Sequence, residues 1–357
     1  MGASFRKIHT MPLSSIQKNY YCSDRNVQQH LRNSWKSVLE SASKVGFSCS
    51  ESSKLLKDAS KPLSENFLNG FHKKHPFVQH LYEIGLELHH PVGRFAMMES
   101  HEYLVLPVAI LLIGRLLCES GDDKISKLEE RQLSFSKAVL AIYLSQKIHA
   151  TIRDSNAIRI HDVENRVGSS KIDEEGNALS KGNKIATLVG DLLITEMYLQ
   201  LSHVGSNRVV QIMSDLLANC SQESFSKQAT VSQWKENSPK NQYVWQSFPT
   251  QRFLQIFFIK SLESLSILID EDPRHEKTAQ LNHLGNLLGE LYYTHQHFYS
   301  RICYGKNSSD KNPTYRFNDN TPKTDEIKMI VQNLNWVATP SVKVAFNSLV
   351  DFLSIHD

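Results

Sequence analysis

The sequence predicts an all-α protein, a large single-domain helical bundle that follows an N-terminal tail. Three observations lead to this prediction. Apolar residues recur at spacings of three and four over long stretches, which places them on one face of a helix. No convincing set of alternating strands bounded by turn residues is found. Hydrophobic residues make up 40% of the 357 residues, enough to bury a substantial core.

Four stretches carry most of the helical signal. Residues 104–117 are the most apolar, include Arg115, and are shorter than the roughly 20 residues that a bilayer span requires, so we expect a buried helix and no transmembrane segment. Residues 185–201 and 281–298 each place their apolar side chains on one helical face. Residues 253–269 are apolar on more than one face, which predicts a central helix.

Polar segments predict the breaks between helices. Residues 168–182 contain three glycines and predict a loop, and residues 221–251 are rich in Ser, Gln and Lys. Pro273 follows an IDED segment and predicts the end of the helix before it. Residues 304–325 predict a long polar loop. We therefore expect one helical domain over residues 28–357 that contains this loop.

The N-terminal tail, residues 1–27, contains no acidic residue before Asp24 and several basic and serine residues. This composition is typical of a mitochondrial transit peptide. An ordinary disordered tail fits the same residues equally well, because so short a segment is compositionally noisy. Both interpretations stay open from the sequence.

Charge and cysteine content exclude several classes of function. The formal net charge of +3 and the absence of Lys/Arg runs give no indication of a nucleic-acid partner. The five cysteines are odd in number and none forms a CxxC pair, which argues against a disulfide framework or a zinc site. A reducing compartment fits this pattern better.

The most informative segment reads GNKIATLVGDLL, residues 182–193. Gly182 is expected to end the preceding loop, where a glycine permits close backbone approach. Ala186 and Gly190 lie four residues apart, so they form a small-residue face against which another helix can pack closely. Asp191 stands among apolar residues, which predicts that it needs a hydrogen-bond partner.

This segment resembles the GNK/R-x-A-x-L-x-GD-x-LL motif of the trans-prenyl diphosphate synthases. The matching motif residues are Gly182, Asn183, Lys184, Gly190 and Asp191. The HP pair at 75–76 and the IH pair at 148–149 resemble further segments of that family. The VSQWKE segment at 231–236 and residues 35–46 resemble one branch, the second subunits of decaprenyl diphosphate synthases, which are the non-catalytic half of a two-component enzyme. The resemblance covers about residues 30–300 and implies a helical bundle of the isoprenoid synthase type.

The family's chemistry implies Mg²⁺ ions held on a diphosphate by two facing clusters of aspartates. Mg²⁺ prefers carboxylate and phosphate oxygens, and aspartates at i, i+1 and i+4 share one face of a helix. Counting on from the IH pair, the first cluster is replaced at Asn156, Ala157, Arg159 and Ile160. Counting back from Arg166, which echoes the family's RRG, moves the position by one residue and again finds no aspartate.

The second cluster is also replaced. The GNLLG segment at 285–289 resembles the G-x-x-L-G that precedes it, and counting forward gives Gln296, His297 and Ser300. The nearby pair His295 and His297 could suggest a metal site. Residues two apart on a helix point about 200° apart, so these two histidines cannot share one ion.

The site for the second diphosphate substrate is unrecognisable as well. In the region that corresponds to the family's GGKxxRP motif, residues 99–107 read ESHEYLVLP, and Glu99 and Glu102 would repel a diphosphate.

The resemblance therefore implies a subunit without catalytic residues, metal ligands or a cofactor of its own. Its implied partner is a catalytic polyprenyl diphosphate synthase subunit that supplies the Mg²⁺ chemistry within a heterotetramer. The implied setting is the mitochondrial matrix, and the implied product is the side chain of ubiquinone. Two alternatives stay open: an isoprenoid-binding or scaffolding protein without a synthase partner, and a divergent prenyltransferase that uses residual groups such as Arg166, Lys184 and Asp191.

Overall fold

The computed structural model describes residues 25–47, 52, 55–56, 100–117, 125–152, 169–231, 250–270, 275–304, 321–333 and 340–354. Within these ranges the regular structure is helical and no strand occurs, so the all-α prediction is confirmed for this part of the chain. In chain order the helices are α1 Arg25–Ser43, α2 Ser100–Tyr103, α3 Val105–Leu117, α4 Ile125–His149, α5 Ser169–Val204, α6 Asn207–Val231, α7 Gln251–Ile269, α8 His275–Tyr304, α9 Thr321–Asn333 and α10 Pro340–Leu353.

The apolar helix α3 lies in the core. Every residue of α3 except Arg115 is buried, which confirms the buried helix predicted at 104–117. Arg115 is stabilised by an ion pair, because its Nη1 atom lies 2.8 Å from Oε1 of Glu129 on α4, whose side chain is 1% exposed. A buried charge of this kind is tolerated only with such a partner. Among the described helices none has the length and apolarity that a membrane crossing requires.

Two long helix pairs pack around α3, one formed by α4 and α5 and the other by α7 and α8. In the second pair the backbones approach closely at two glycines of the GNLLG segment. A Cβ atom added at Gly289 would lie 2.5 Å from the Cα atom of Gln255, and one added at Gly285 would lie 2.8 Å from the Cα atom of Ile259. These glycines therefore determine the spacing between α7 and α8.

Helix α7 begins where the sequence provides a cap. The Thr250 hydroxyl oxygen accepts a hydrogen bond from the backbone N–H of Phe253 at 3.1 Å, which satisfies one of the free donors at the helix start. Phe253, Phe257 and Phe258 are all buried. The prediction that residues 253–269 form a central helix is thus confirmed.

The loop predicted at residues 168–182 is wrong, because α5 begins at Ser169 and continues through Gly182. A glycine inside a helix costs about 1 kcal/mol relative to alanine. Leu179 and Gly182 are both buried, so packing of this part of the helix offsets that cost. Gly182 consequently lies inside α5 and does not end a loop.

Two further breaks differ from the predicted ones. Helix α6 continues to Val231, into the polar segment predicted at 221–251, and α9 begins at Thr321, within the loop predicted at 304–325. Residues 232–249 and 305–320 lie outside the described residues, as do residues 1–24 of the N-terminal tail.

Candidate functional site

The family-like segment lies on α5 and faces α4. Ala186 and Gly190 are buried, and a Cβ atom added at Gly190 would overlap the imidazole of His149, the last residue of α4. The small-residue face predicted from the spacing of Ala186 and Gly190 is therefore confirmed as a close helix contact. Its neighbour includes His149 of the IH pair, so two segments that were identified separately in the sequence touch each other.

His149 is also a neighbour of Asp191. The Nε2 atom of His149 lies 3.4 Å from Oδ1 of Asp191 and 3.4 Å from the backbone oxygen of Thr187. The side chain of Asp191 is 62% exposed, so it sits at the edge of the helix contact and not in an apolar interior. At these distances the interaction positions the imidazole more than it contributes to stability.

The polar residues of the segment line an open surface cleft. The cleft has a volume of about 420 Å³ and is lined by Ser180, Asn183, Lys184, Thr187 and Leu188. Lys184 is exposed, and the hydroxyl of Thr187 donates to the backbone oxygen of Asn183 at 3.0 Å. The lining residues that belong to the described part of the chain all lie on α5. Arg166 lies outside the described residues.

At the position that the resemblance assigns to the second aspartate cluster, the structure shows a hydrogen-bond network around Gln296 of α8. Tyr143 of α4 donates to Oε1 of Gln296 at 2.8 Å. The Nε2 atom of Gln296 donates to the backbone oxygen of Glu102 at 3.1 Å and to the hydroxyl oxygen of Tyr292 at 2.6 Å. The Tyr292 hydroxyl donates to the same backbone oxygen at 2.9 Å. We call Tyr143, Tyr292, Gln296 and the carbonyl of Glu102 the Tyr–Gln network.

The Tyr–Gln network uses both ends of the Gln296 side chain and connects α2, α4 and α8. Tyr143 and Tyr292 are fully buried, and their rings pack with centroids 6.2 Å apart. The sequence did not identify Tyr143, and it identified Tyr292 only as one more residue of the apolar face at 281–298. A buried tyrosine usually needs a hydrogen-bond partner, but that rule alone does not name the partner.

Burial raises the pKa of both phenols above the ordinary tyrosine value. For Tyr143 desolvation is the largest cause, and the nearby Tyr292 adds to it. For Tyr292 desolvation again dominates, outweighing the hydrogen bond with Tyr143, which lowers the pKa. Both hydroxyls are therefore neutral hydrogen-bond donors at physiological pH, and neither supplies the anionic oxygen that Mg²⁺ prefers.

The other residues at the second cluster position do not fit Mg²⁺ either. His297 is exposed, whereas His295 is buried with its ring centroid 4.7 Å from that of Phe352. The two imidazoles thus lie on different faces of α8, as their spacing predicts. Ser300 has only a hydroxyl to offer. An amide already engaged in hydrogen bonds, an imidazole and a hydroxyl are poor ligands for a hard cation.

The first cluster position lies outside the described residues. Helix α4 ends at His149, and Asn156, Ala157, Arg159 and Ile160 fall in residues 153–168. Across the ranges that the structure describes, no group of three or more His, Cys, Asp or Glu side chains is arranged to hold a metal ion.

Comparisons with known proteins found no matching family, no matching curated protein and no matching solved structure. Support for a function therefore comes from the resemblance of short segments and from the geometry around them.

Proposed function

We propose that this chain is a non-catalytic, regulatory subunit of a heteromeric all-trans-polyprenyl diphosphate synthase that makes the side chain of ubiquinone. In this proposal it corresponds to subunit 2 of decaprenyl diphosphate synthase and its helices form a bundle of the isoprenoid synthase type. A catalytic subunit provides the aspartates and the Mg²⁺, and the two kinds of chain assemble as a heterotetramer in the mitochondrial matrix.

The Tyr–Gln network is the observation that carries this proposal. In a catalytic synthase the corresponding position of the helix would present carboxylates to Mg²⁺. Here Gln296 accepts one hydrogen bond from Tyr143 and donates to the carbonyl of Glu102 and to Tyr292. A metal ion at this position would displace these bonds without gaining a charged ligand, and leaving buried polar groups unpaired is costly. The network therefore supports a contact between α4 and α8 that is held together without a metal ion.

The parts of the resemblance that remain intact are those that pack helices. Gly190 of the GNKIATLVGDLL segment lies against the imidazole of His149 of the IH pair. Gly285 and Gly289 of the GNLLG segment lie against the backbone of α7. A chain that keeps these close contacts while lacking the metal-binding carboxylates is expected to work through its fold, by stabilising or shaping a partner.

Coexpression with a catalytic polyprenyl diphosphate synthase subunit tests the proposal. We expect a tag on this chain to recover both subunits, and the complex to elongate an allylic diphosphate with Mg²⁺. This chain alone should be inactive. Aspartate-to-alanine changes in the catalytic subunit should abolish the activity of the complex, since the metal ligands belong to that subunit.

The other outcomes decide between the alternatives. If the catalytic subunit has full activity that is unchanged by this chain, the proposal is wrong. If this chain alone turns over an allylic diphosphate, and the partner's aspartate variants leave that turnover intact, the chain is a divergent prenyltransferase. If no synthase copurifies and an isoprenoid lipid does, a binding or scaffolding protein is the better description.

A further inference from the structure

Helix α9 has few buried apolar side chains for a helix that packs on a domain core. Over residues 323–332 its buried side chains are those of Thr324, Ile327 and Val331. Helix α10, which has nearly the same length, contributes seven buried apolar residues. Because burial of apolar surface is the main force that holds a helix in a folded domain, α9 is held by much less of it than α10.

Polar contacts between helices supply much of what holds α9 in place. Three of its charged residues pair with a titratable residue of a neighbouring helix. These pairs, which we call the α9 ion pairs, are Lys323–Glu290 and Glu326–His283 with α8, and Lys328–Asp351 with α10. The Nε2 atom of His283 lies 2.8 Å from Oε1 of Glu326, and this is an ion pair only when the imidazole is protonated. The hydroxyls of Thr324 and Ser354 are 2.8 Å apart and add a further contact.

The α9 ion pairs lie at the solvent-accessible rim of a small apolar contact. On α8, Leu287 is buried and lies four residues after His283 and three before Glu290, which places all three on one helical face. On α9, the buried Ile327 lies one turn after Lys323. The paired side chains themselves are between 25% and 61% exposed. Dissolved salt therefore reaches these pairs and screens their attraction.

We propose that α9 is a helix that undocks from α8 and α10 while the rest of the helical domain stays folded, and that the α9 ion pairs make its docking depend on ionic strength. Elements that open locally in this way are those with few buried apolar contacts. Undocking exposes Ile327 and Val331 of α9 together with Leu287 of α8. Ionic strength thereby controls access to an apolar surface that the docked helix covers. This inference does not rest on the proposed function.

The helices beneath α9 have other neighbours that keep them in place. Helix α8 packs on α7, where Gly285 and Gly289 bring the two backbones together. Helix α10 packs on α1, and the rings of Trp35 and Phe352 lie with their centroids 5.3 Å apart in that contact. Neither contact involves a residue of α9. Loss of α9 therefore leaves both of its partner helices packed against the core.

Hydrogen–deuterium exchange of the purified full-length chain, resolved by mass spectrometry, tests the proposal. It is measured at about 0.1 M and about 1 M NaCl, between which the Debye length falls from about 10 Å to about 3 Å. Each exposed pair contributes a factor of roughly 1.4 to 5 to the docking equilibrium, so we expect the amides of α9 to exchange roughly ten-fold faster at high salt. The amides of α7, measured in the same samples, should keep their rates. This arm uses the wild-type chain alone.

A charge reversal and its matched control test the role of the ion pairs. Lys323→Glu sets two carboxylates against each other between α9 and α8, and it should speed exchange of α9 roughly ten-fold at low salt. Adding Glu290→Lys restores an opposite-charge pair and should return exchange to within about three-fold of wild type. Lys260→Glu is the control, because Lys260 pairs with Glu263 at 2.8 Å within α7 itself. It should leave exchange of α9 unchanged.

Four results would overturn the proposal. The first is exchange of α9 that does not respond to salt relative to α7. The second is exchange of α9 at the rate of the buried amides of α7, since α9 would then open only when the whole domain unfolds. The third is an equal effect of Lys323→Glu and Lys260→Glu on α9. The fourth is failure of the reversed pair to restore the exchange rate.

Discussion

At the scale of single residues, the Tyr–Gln network makes a direct prediction about stability. Replacing Tyr143 by Phe removes the donor to Oε1 of Gln296 and leaves that oxygen poorly satisfied next to the core. We expect a loss of about 1–3 kcal/mol in the free energy of unfolding, measured by urea titration.

Tyr293→Phe is the matched control for this measurement. Tyr293 follows Tyr292 directly on α8 but is not part of the network, so its change should stay within about 0.5 kcal/mol of wild type. Equal effects of Tyr143→Phe and Tyr293→Phe would show that the network does not stabilise the contact between α4 and α8.

The two buried phenols also predict an alkaline limit to stability. Both have a pKa raised by burial in the folded state, whereas in the unfolded chain they titrate near the ordinary value of about 10. Below that pH both states keep the phenol protons and the full stability is present. As the pH rises above about 10, the unfolded chain releases protons that the folded chain retains, so the free energy of unfolding falls.

Urea midpoints measured from about pH 8 to about pH 11.5, a range that spans the ordinary tyrosine pKa, check this expectation. Tyr143→Phe should make the decline above about pH 10 shallower than in wild type, because one shifted group no longer titrates. An identical pH dependence in the two proteins would contradict the assignment of this limit to the network.

Because Gly190 lies against His149, we expect the effect of Gly190→Ala on stability to change sign when His149 is replaced by alanine. In wild type, Gly190→Ala should be destabilising by about 1–2 kcal/mol, because the new methyl group overlaps the imidazole and displaces it from Asp191. In a His149→Ala background the same change should stabilise by up to about 1 kcal/mol, since only the helix propensity of alanine remains. Thermal unfolding of the four proteins measures the coupling. A Gly190→Ala effect of the same sign in both backgrounds would contradict the close packing of α4 on α5.

At the scale of helices, the spacing between α7 and α8 depends on glycines that lie against backbone atoms. The added methyl group of Gly289→Ala would press on the Cα atom of Gln255, which cannot rotate away as a side chain can. We expect a loss of about 3 kcal/mol in the free energy of unfolding. Gly114→Ala is the control, because its methyl group would meet the side-chain end of Gln132 instead. Its loss should be smaller, and a larger loss than for Gly289→Ala would contradict this account.

Helices whose signal is local could be predicted from the sequence, and boundaries decided by packing could not. The buried helix at 104–117 and the central helix at 253–269 follow from their apolar residues alone. The beginning of α5 does not, because Gly182 and its polar neighbours resemble a loop in composition. Leu179 and Gly182 are buried in the folded chain, which offsets the helix cost of the glycine, and no local propensity reports that burial.

In the candidate site, too, features with a local sequence signal could be predicted and features that depend on distant residues could not. The close contact at Gly190 could be predicted, since two small residues four apart define a helical face. The Tyr–Gln network could not, because its hydrogen bond joins Tyr143 and Gln296, which are 153 residues apart. Counting from the GNLLG segment located Gln296, but its hydrogen-bond partners depend on how α2, α4 and α8 are placed in space.

At the scale of the whole molecule, the close helix contacts and the Tyr–Gln network are both consistent with the proposed non-catalytic subunit. The helix pairs α4–α5 and α7–α8 meet at glycines of family-like segments, while the position at which the resemblance implies metal ligands holds the Tyr–Gln network. Binding of Mg²⁺ and diphosphate stabilises a folded protein only if the native state has a site for them. If only the catalytic subunit binds Mg²⁺ and diphosphate, only that subunit should be stabilised by them, and this can be measured without following the reaction.

We expect the Tm of the isolated chain to stay unchanged when Mg²⁺ and inorganic diphosphate are added together. The Tm of the catalytic subunit in the complex should rise under the same conditions, because a ligand at about 100 times its Kd contributes about 2.7 kcal/mol. Differential scanning calorimetry of the isolated chain, the catalytic subunit and the complex separates these responses. Gln296→Asp in this chain should not create a response to Mg²⁺, since one carboxylate facing Tyr143 and Tyr292 does not replace two clusters. A rise in the Tm of the isolated wild-type chain would favour the divergent prenyltransferase over the non-catalytic subunit.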